Sequence, residues 1–81
     1  MEGLTEGRIV HFVLVDRHGE QVHRPAIVVR VWNKENGSVN LQVFTDGSND
    51  GEAYKSGIWW GTSVSHSEEP EPYTWHWPER A

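Results

Sequence analysis

The chain has 81 residues and no cysteine, and its formal charge is −5. A chain of this length forms one small core, for which partner subunits are a natural source of further stability. The lack of cysteine excludes a disulfide framework and a thiolate nucleophile. The negative charge disfavours long nucleic acid, whose binding depends on many lysines and arginines. With no apolar run of transmembrane length and no signal peptide, we expect a soluble, cytoplasmic protein.

The first third of the chain predicts a leader and a strand. Residues 1–7 contain two glycines and two glutamates and predict a loose N-terminal leader. Residues 8–16 alternate in a way typical of a strand, with apolar side chains on both faces. Such a strand is expected to be covered on both sides. Residues 16–19 predict a tight turn, and residues 20–23 a short return.

A hairpin is predicted next. Pro25 marks the start of a strand, since it lacks a ladder donor, and residues 26–32 are rich in β-branched side chains. Strict alternation along this strand predicts Ile27, Val29 and Val31 toward the core and Val28, Arg30 and Trp32 on the opposite face. Asn36 and Gly37 favour the hairpin turn, because both residue types readily adopt positive φ.

The return strand, residues 38–45, carries the most informative pattern. Leu41 and Val43 are predicted to face the core, while Asn40, Gln42 and Phe44 face outward with two amides and one ring. These outward side chains suit a flat, hydrogen-bonding ligand. The alternative is that Phe44 packs under a neighbouring strand and that the amides bind loop backbone.

The remainder predicts a long loop at 46–57, a last strand at 58–65 and a tail at 66–81. The tail begins acidic and proline-rich and ends in an aromatic run. Trp75 and Trp77 are predicted to dock on the barrel or on a partner subunit, because a disordered tail rarely carries such residues. No segment has a convincing helical period. We therefore expect an oligomeric all-β protein, a small antiparallel barrel of about five strands, SH3-like or OB-like, at residues 8–65.

Metal binding and catalysis are not predicted. The segment 46–51 resembles the front half of a calcium loop, but Gly57 stands where such a loop needs a bidentate glutamate. The five histidines show no zincin-type spacing, and there is no nucleophile-elbow motif. We therefore expect a protein that is not an enzyme, with no metal and no cofactor, and histidines at the surface or at an interface.

A binding surface for a nucleotide-sized ligand is the prediction that remains. Amides can read the edge of a base, aromatic rings can stack on its face, and arginines can bind phosphate. The predicted ligand-binding residues are Arg24, Arg30, Asn40, Gln42, Phe44, Asp46, Asn49, Trp60, Thr62 and Ser63.

Several segments together resemble a widespread family of very short phage and prophage proteins. They are the runs at 24–32, 37–47, 49–50 and 62–64, and the tail motif Thr-Trp-His-Trp-Pro-Glu at 74–79. In size and build the family is similar to phage anti-CBASS sponges, small oligomeric β proteins that sequester cyclic dinucleotide immune signals without cleaving them.

The resemblance implies a homo-oligomeric immune-evasion protein that binds a cyclic dinucleotide or a related nucleotide signal in the host cytosol. Two alternatives stay open. One is a virion or assembly protein whose aromatic tail joins neighbouring subunits, and the other is a small enzyme or a nucleic-acid-binding barrel.

Overall fold

Five strands form one closed barrel in the computed structural model, which describes residues 1–79. The strands are β1 (Ile9–Val15), β2 (Gln21–Asn33), β3 (Ser38–Phe44), β4 (Ile58–His66) and β5 (Thr74–His76). Consecutive strands are hydrogen-bonded neighbours, and β5 pairs with β1 to close the barrel. All pairs are antiparallel except β4 with β5, which is parallel. The prediction of a small five-stranded all-β barrel is confirmed.

The prediction for the β2 faces is wrong over its middle. Ala26 and Val28 are buried in the core, whereas Val29 is exposed. The cause is a register shift between Val28 and Arg30, where β2 pairs with β3. A bulge places one extra residue on the strand and so reverses the alternation beyond it. Residues 21–23 of the return predicted at 20–23 also belong to this one continuous strand.

The core lies along the barrel axis and contains mainly valine, leucine and aromatic side chains. Its buried members are Leu4, Val10, Phe12, Leu14, Ala26, Val28, Val39, Leu41, Val43, Tyr54, Val64 and Trp75. Leu41 and Val43 face inward as predicted. Val13 has the opposite parity in β1 from Phe12 and is buried as well, so β1 is covered on both sides, as expected from its sequence.

The N-terminal residues pack on the barrel instead of forming a loose leader. Leu4 is fully buried in the core. The N-terminal ammonium donates to the carbonyl of Lys34, and the Glu6 carboxylate accepts a hydrogen bond from the backbone N–H of Val31. The Gly7 backbone N–H also donates to the carbonyl of Val28. A single buried leucine and three anchoring bonds therefore order a segment whose composition suggested disorder.

The last strand comes from the aromatic end of the chain. Trp75 is fully buried, and its indole N–H donates to the carbonyl oxygen of Gly37 over 2.7 Å. Trp75 is therefore enclosed by the barrel of its own chain, which is one of the two placements predicted for it. Trp77 is partly buried against Trp75 and lies under the Arg8 guanidinium. Residues 80–81 of the predicted tail lie outside the described residues.

The long loop between β3 and β4 contains two single-turn 3₁₀ segments, Gly47–Asn49 and Glu52–Tyr54. Tyr54 is buried and anchors the loop to the core. Residues 1–79 contain no helix that is long and apolar enough to span a membrane.

Gly37 provides a test of how closely Trp75 packs. Its φ is +80°, and a Cβ there would lie 2.8 Å from the His66 Cβ and 3.2 Å from the Trp75 ring. Gly57 has φ +85° but nothing within 4 Å of the same position. Gly57→Ala should therefore cost only the backbone strain, about 1–3 kcal/mol. Gly37→Ala should cost a further 1–3 kcal/mol or so from overpacking, as measured by urea unfolding. Equal losses for both variants would show that the barrel is not tightly closed at Trp75.

Candidate functional site

The outward side of β2, β3 and β4 collects most of the residues predicted to bind ligand. We call this surface the outer face. It consists of Arg30, Trp32, Asn40, Gln42, Phe44, Trp60, Thr62 and Ser63. The strand register places Arg30 opposite Asn40 and Gln42 opposite Trp60. Trp32, Phe44 and Trp60 are each more than 40% exposed, unusual for such large apolar side chains.

Internal hydrogen bonds fix the amide of Asn40. Its Oδ1 accepts from the Trp32 indole N–H over 2.8 Å and from the Ser63 backbone N–H over 2.9 Å. Ser63 adopts a φ of +50°, which belongs to an irregular stretch of β4 where the register with β3 shifts. Because the Trp32 and Ser63 N–H groups both bind the Oδ1 of Asn40, the Nδ2 group of Asn40 points away from them and its own N–H donors face the other way.

Gln42 is held in the opposite sense. Its Nε2 donates to the carbonyl oxygen of Trp59 over 3.3 Å, which leaves its Oε1 as the acceptor on the other side. Beside these amides, the Arg30 guanidinium lies 3.8 Å from the centre of the Trp32 ring. The outer face therefore offers a donor, an acceptor, a cation and exposed aromatic rings.

Arg24 does not belong to the outer face. Its position in β2 alternates to the same side as Ala26 and Val28, which face the core. It forms a bidentate ion pair with Asp50, with N–O distances of 2.8 and 2.6 Å. Asp50 is 2% exposed and also accepts from the backbone N–H of Asp46. The hydrogen bonds from Arg24 lower the pKa of Asp50 against the opposing effect of burial. The pair holds the β3–β4 loop on the barrel.

Asp46 and Asn49 are exposed on that loop. Asn49 donates to the Asp46 carboxylate over 3.3 Å. Their predicted contact with ligand stays a prediction, as does that of the outer face.

A second group of polar side chains meets on the other side of the barrel. We call His11, His23, His76 and Glu79 the histidine cluster. His11 on β1 pairs directly with His76 on β5. His23 lies on β2, the other neighbour of β1, where it pairs with Val13. The Glu79 carboxylate lies 2.5 Å from His11 Nδ1, from His23 Nδ1 and from His76 Nε2.

The histidine cluster is partly enclosed. His76 is 6% exposed, and its Nδ1 has no hydrogen-bond partner among residues 1–79. Burial tends to raise the pKa of Glu79, but a hydrogen bond from its own backbone N–H and those from the three histidines lower it to about 2. An open cleft of about 380 Å³ adjoins the cluster and is lined by Met1, His66, Glu68, Pro70, His76, Trp77 and Glu79.

Sequence spacing alone did not identify this cluster. The hairpin turn at 16–19 would have placed His11 and His23 on one face of β1 and β2, because Val13 pairs with His23. Nothing local shows that β5 pairs with β1, so the contribution of His76 and Glu79 depends on the closed barrel.

Comparison of the chain with protein-family models, with curated proteins and with solved structures finds no match.

The pair between Arg24 and Asp50 gives a stability test. Arg24→Met would leave the nearly inaccessible Asp50 charge without its partner and should lower the free energy of unfolding by about 3–5 kcal/mol. Asp50→Asn should cost less, because Arg24 is partly exposed and can be solvated.

The same pair sets the pH dependence. Because the pKa of Asp50 is lowered in the folded state, its stabilising contribution is present above its unfolded pKa of about 3.9 and is lost as pH falls through the folded value. Urea unfolding at neutral and acidic pH should show this loss in the parent protein and a smaller one in Asp50→Asn. An equally acid-sensitive Asp50→Asn would contradict the assignment.

Proposed function

We propose that the protein binds a cyclic dinucleotide, or a closely related nucleotide signal, on its outer face and sequesters it without cleaving it. The observation that carries the proposal is the fixed amide pair. Asn40 presents a donor and Gln42 an acceptor within two residues of one strand, each oriented by bonds to its own chain. Base edges are read by such fixed donor and acceptor groups.

The aromatic side chains support stacking of the base. Trp60 lies opposite Gln42 in the register and is 47% exposed, so a base held by the amides has a ring beside it. Stacking on an exposed ring contributes about 1–3 kcal/mol per base and depends little on which base is bound. A ligand with two bases could use a second outer face of another subunit.

Arg30 supports a phosphate contact. Its guanidinium lies over the Trp32 ring and forms no salt bridge within residues 1–79. A guanidinium fixed in this way can bind phosphate oxygens through two donors. With a net charge of −5, one local cation suits a compact phosphorylated ligand better than a long polyanion.

Sequestration fits the chemistry of these side chains better than turnover does. The eight residues of the outer face include no carboxylate, imidazole or thiol, so the face offers no general base that could activate the hydroxyls of Thr62 and Ser63 as nucleophiles. The ligand is therefore expected to leave the protein unchanged.

Calorimetric titration with cyclic di-GMP, cyclic di-AMP and cyclic GMP-AMP tests the proposal. Arg30→Gln should weaken binding by about 10- to 100-fold, since it removes a charge-assisted contact worth about 1.5–3 kcal/mol. Gln42→Ala should weaken it by about 2- to 10-fold, since a neutral hydrogen bond is worth about 0.5–1.5 kcal/mol. Arg17→Gln, which removes a cation from an exposed turn, is the matched control and should bind normally. Bound ligand recovered after denaturation should be intact. Unchanged affinity in both outer-face variants, or recovery of a cleaved ligand, would refute the proposal.

Assembly is the second candidate function, and exposed apolar side chains favour it. Ile9, Val29 and Ile58 are each 45–52% exposed near the outer face. Ile9 pairs with Ile27, and Ile27 pairs in turn with Gln42. Ile58 pairs with Phe44. The apolar side chains thus extend across four strands, a pattern that favours contact with other subunits.

If these side chains join subunits, Ile58→Ser should lower the mass measured by light scattering, because it removes apolar area from the contact. Lys55→Ser, a change to an exposed residue in the preceding turn, should leave the mass unchanged. A parent protein that remains monomeric at micromolar concentration would exclude an oligomer built on this surface.

A further inference from the structure

The histidine cluster brings together three imidazoles and one carboxylate that are far apart in the sequence. Each residue offers one ligand atom, and these atoms all lie within 4.8 Å of one another. His11, His23 and His76 come from three different strands, and Glu79 follows β5. The arrangement therefore exists only in the folded barrel.

The number and type of the donors match those of a transition-metal site. Imidazole nitrogen suits zinc, copper, nickel and iron, whereas calcium and magnesium prefer oxygen ligands. Four ligands around Zn²⁺ at bond lengths of about 2.0–2.2 Å would be separated from one another by roughly 3.3 Å. The ligand atoms are close enough for side-chain rotation to reach that spacing, since Glu79 follows the last strand and is about half exposed.

Access and surroundings are also suitable. Glu79 and His76 line the cleft of about 380 Å³, which gives an ion a path from solvent. The rings of His11 and His23 pack edge-on against His76, with centroid distances of 5.9 and 4.7 Å. One nitrogen of each ring contacts the Glu79 carboxylate, so the three imidazoles are already oriented toward one point. Preorganised ligands lower the cost of assembling a metal site.

We propose that His11, His23, His76 and Glu79 bind one divalent transition-metal ion, with Zn²⁺ the best match, at the seam between β1, β2 and β5. The ion would join β5, a strand of only three residues, to the two strands on which His11 and His23 lie. Metal bound only by the folded chain stabilises the fold, so the site would secure the closure of the barrel.

Metal analysis of the full chain tests the proposal. After treatment with a chelator, titration with Zn²⁺ should saturate at one ion per chain and raise the melting temperature. Co²⁺ should bind at the same stoichiometry with the intense visible absorption of a tetrahedral site. Saturation at one ion per chain in neither titration would overturn the proposal.

Variants identify the ligands. His23→Gln and Glu79→Gln change partly exposed side chains, and each should weaken binding by more than the 10- to 100-fold or so that the loss of an outer-shell partner costs. His18→Gln removes an exposed histidine in the nearby turn and should bind metal like the parent. Circular dichroism checks that each variant folds, and the Co²⁺ spectrum reports a change in ligand set even where affinity stays measurable. Parent-like affinity and spectrum in His23→Gln and Glu79→Gln would place any metal elsewhere and overturn the assignment.

Discussion

The insertion of Trp75 into the barrel is the contact on which the rest of the structure depends. The indole fills the core beside Gly37 and satisfies its one donor on that residue's carbonyl. A large buried aromatic side chain contributes several kcal/mol in a core this small. The strand that carries it has three residues and few ladder bonds, so side-chain burial must provide most of the stability of this closure.

Closure of the barrel generates two chemically different surfaces. On one side, β2, β3 and β4 present aromatic rings, two oriented amides and Arg30, for which we propose a nucleotide ligand. On the other side, β1, β2 and β5 bring three histidines to Glu79, for which we propose a metal ion. The two surfaces share the strands of one small core, so a change that opens the seam is expected to disturb both.

The sequence predicted the parts of the fold that depend on local patterns. Regular alternation in residues 38–45 correctly placed Leu41 and Val43 inside and Asn40, Gln42 and Phe44 outside, because no bulge interrupts that stretch. The faces of Ile27 and Val29 were predicted wrongly, since the bulge between Val28 and Arg30 depends on pairing with β3 and has no local signal.

Features that require distant contacts were not predictable. Arg24 has a guanidinium, a group that commonly binds phosphate, yet its partner is Asp50, a buried carboxylate 26 residues away. The histidine cluster likewise joins residues up to 68 positions apart. No helical or metal-binding spacing marks such a group, because the relevant geometry is set by the strand order of the closed barrel.

Removal of the C-terminal segment tests this dependence most directly. A chain that ends at Glu69 lacks β5 and Trp75. We predict that it loses the near-ultraviolet circular dichroism of packed aromatic rings and no longer unfolds cooperatively on heating, because the core is left open beside Gly37. A truncated chain that keeps both the aromatic signal and a cooperative transition at the parent temperature would contradict the account.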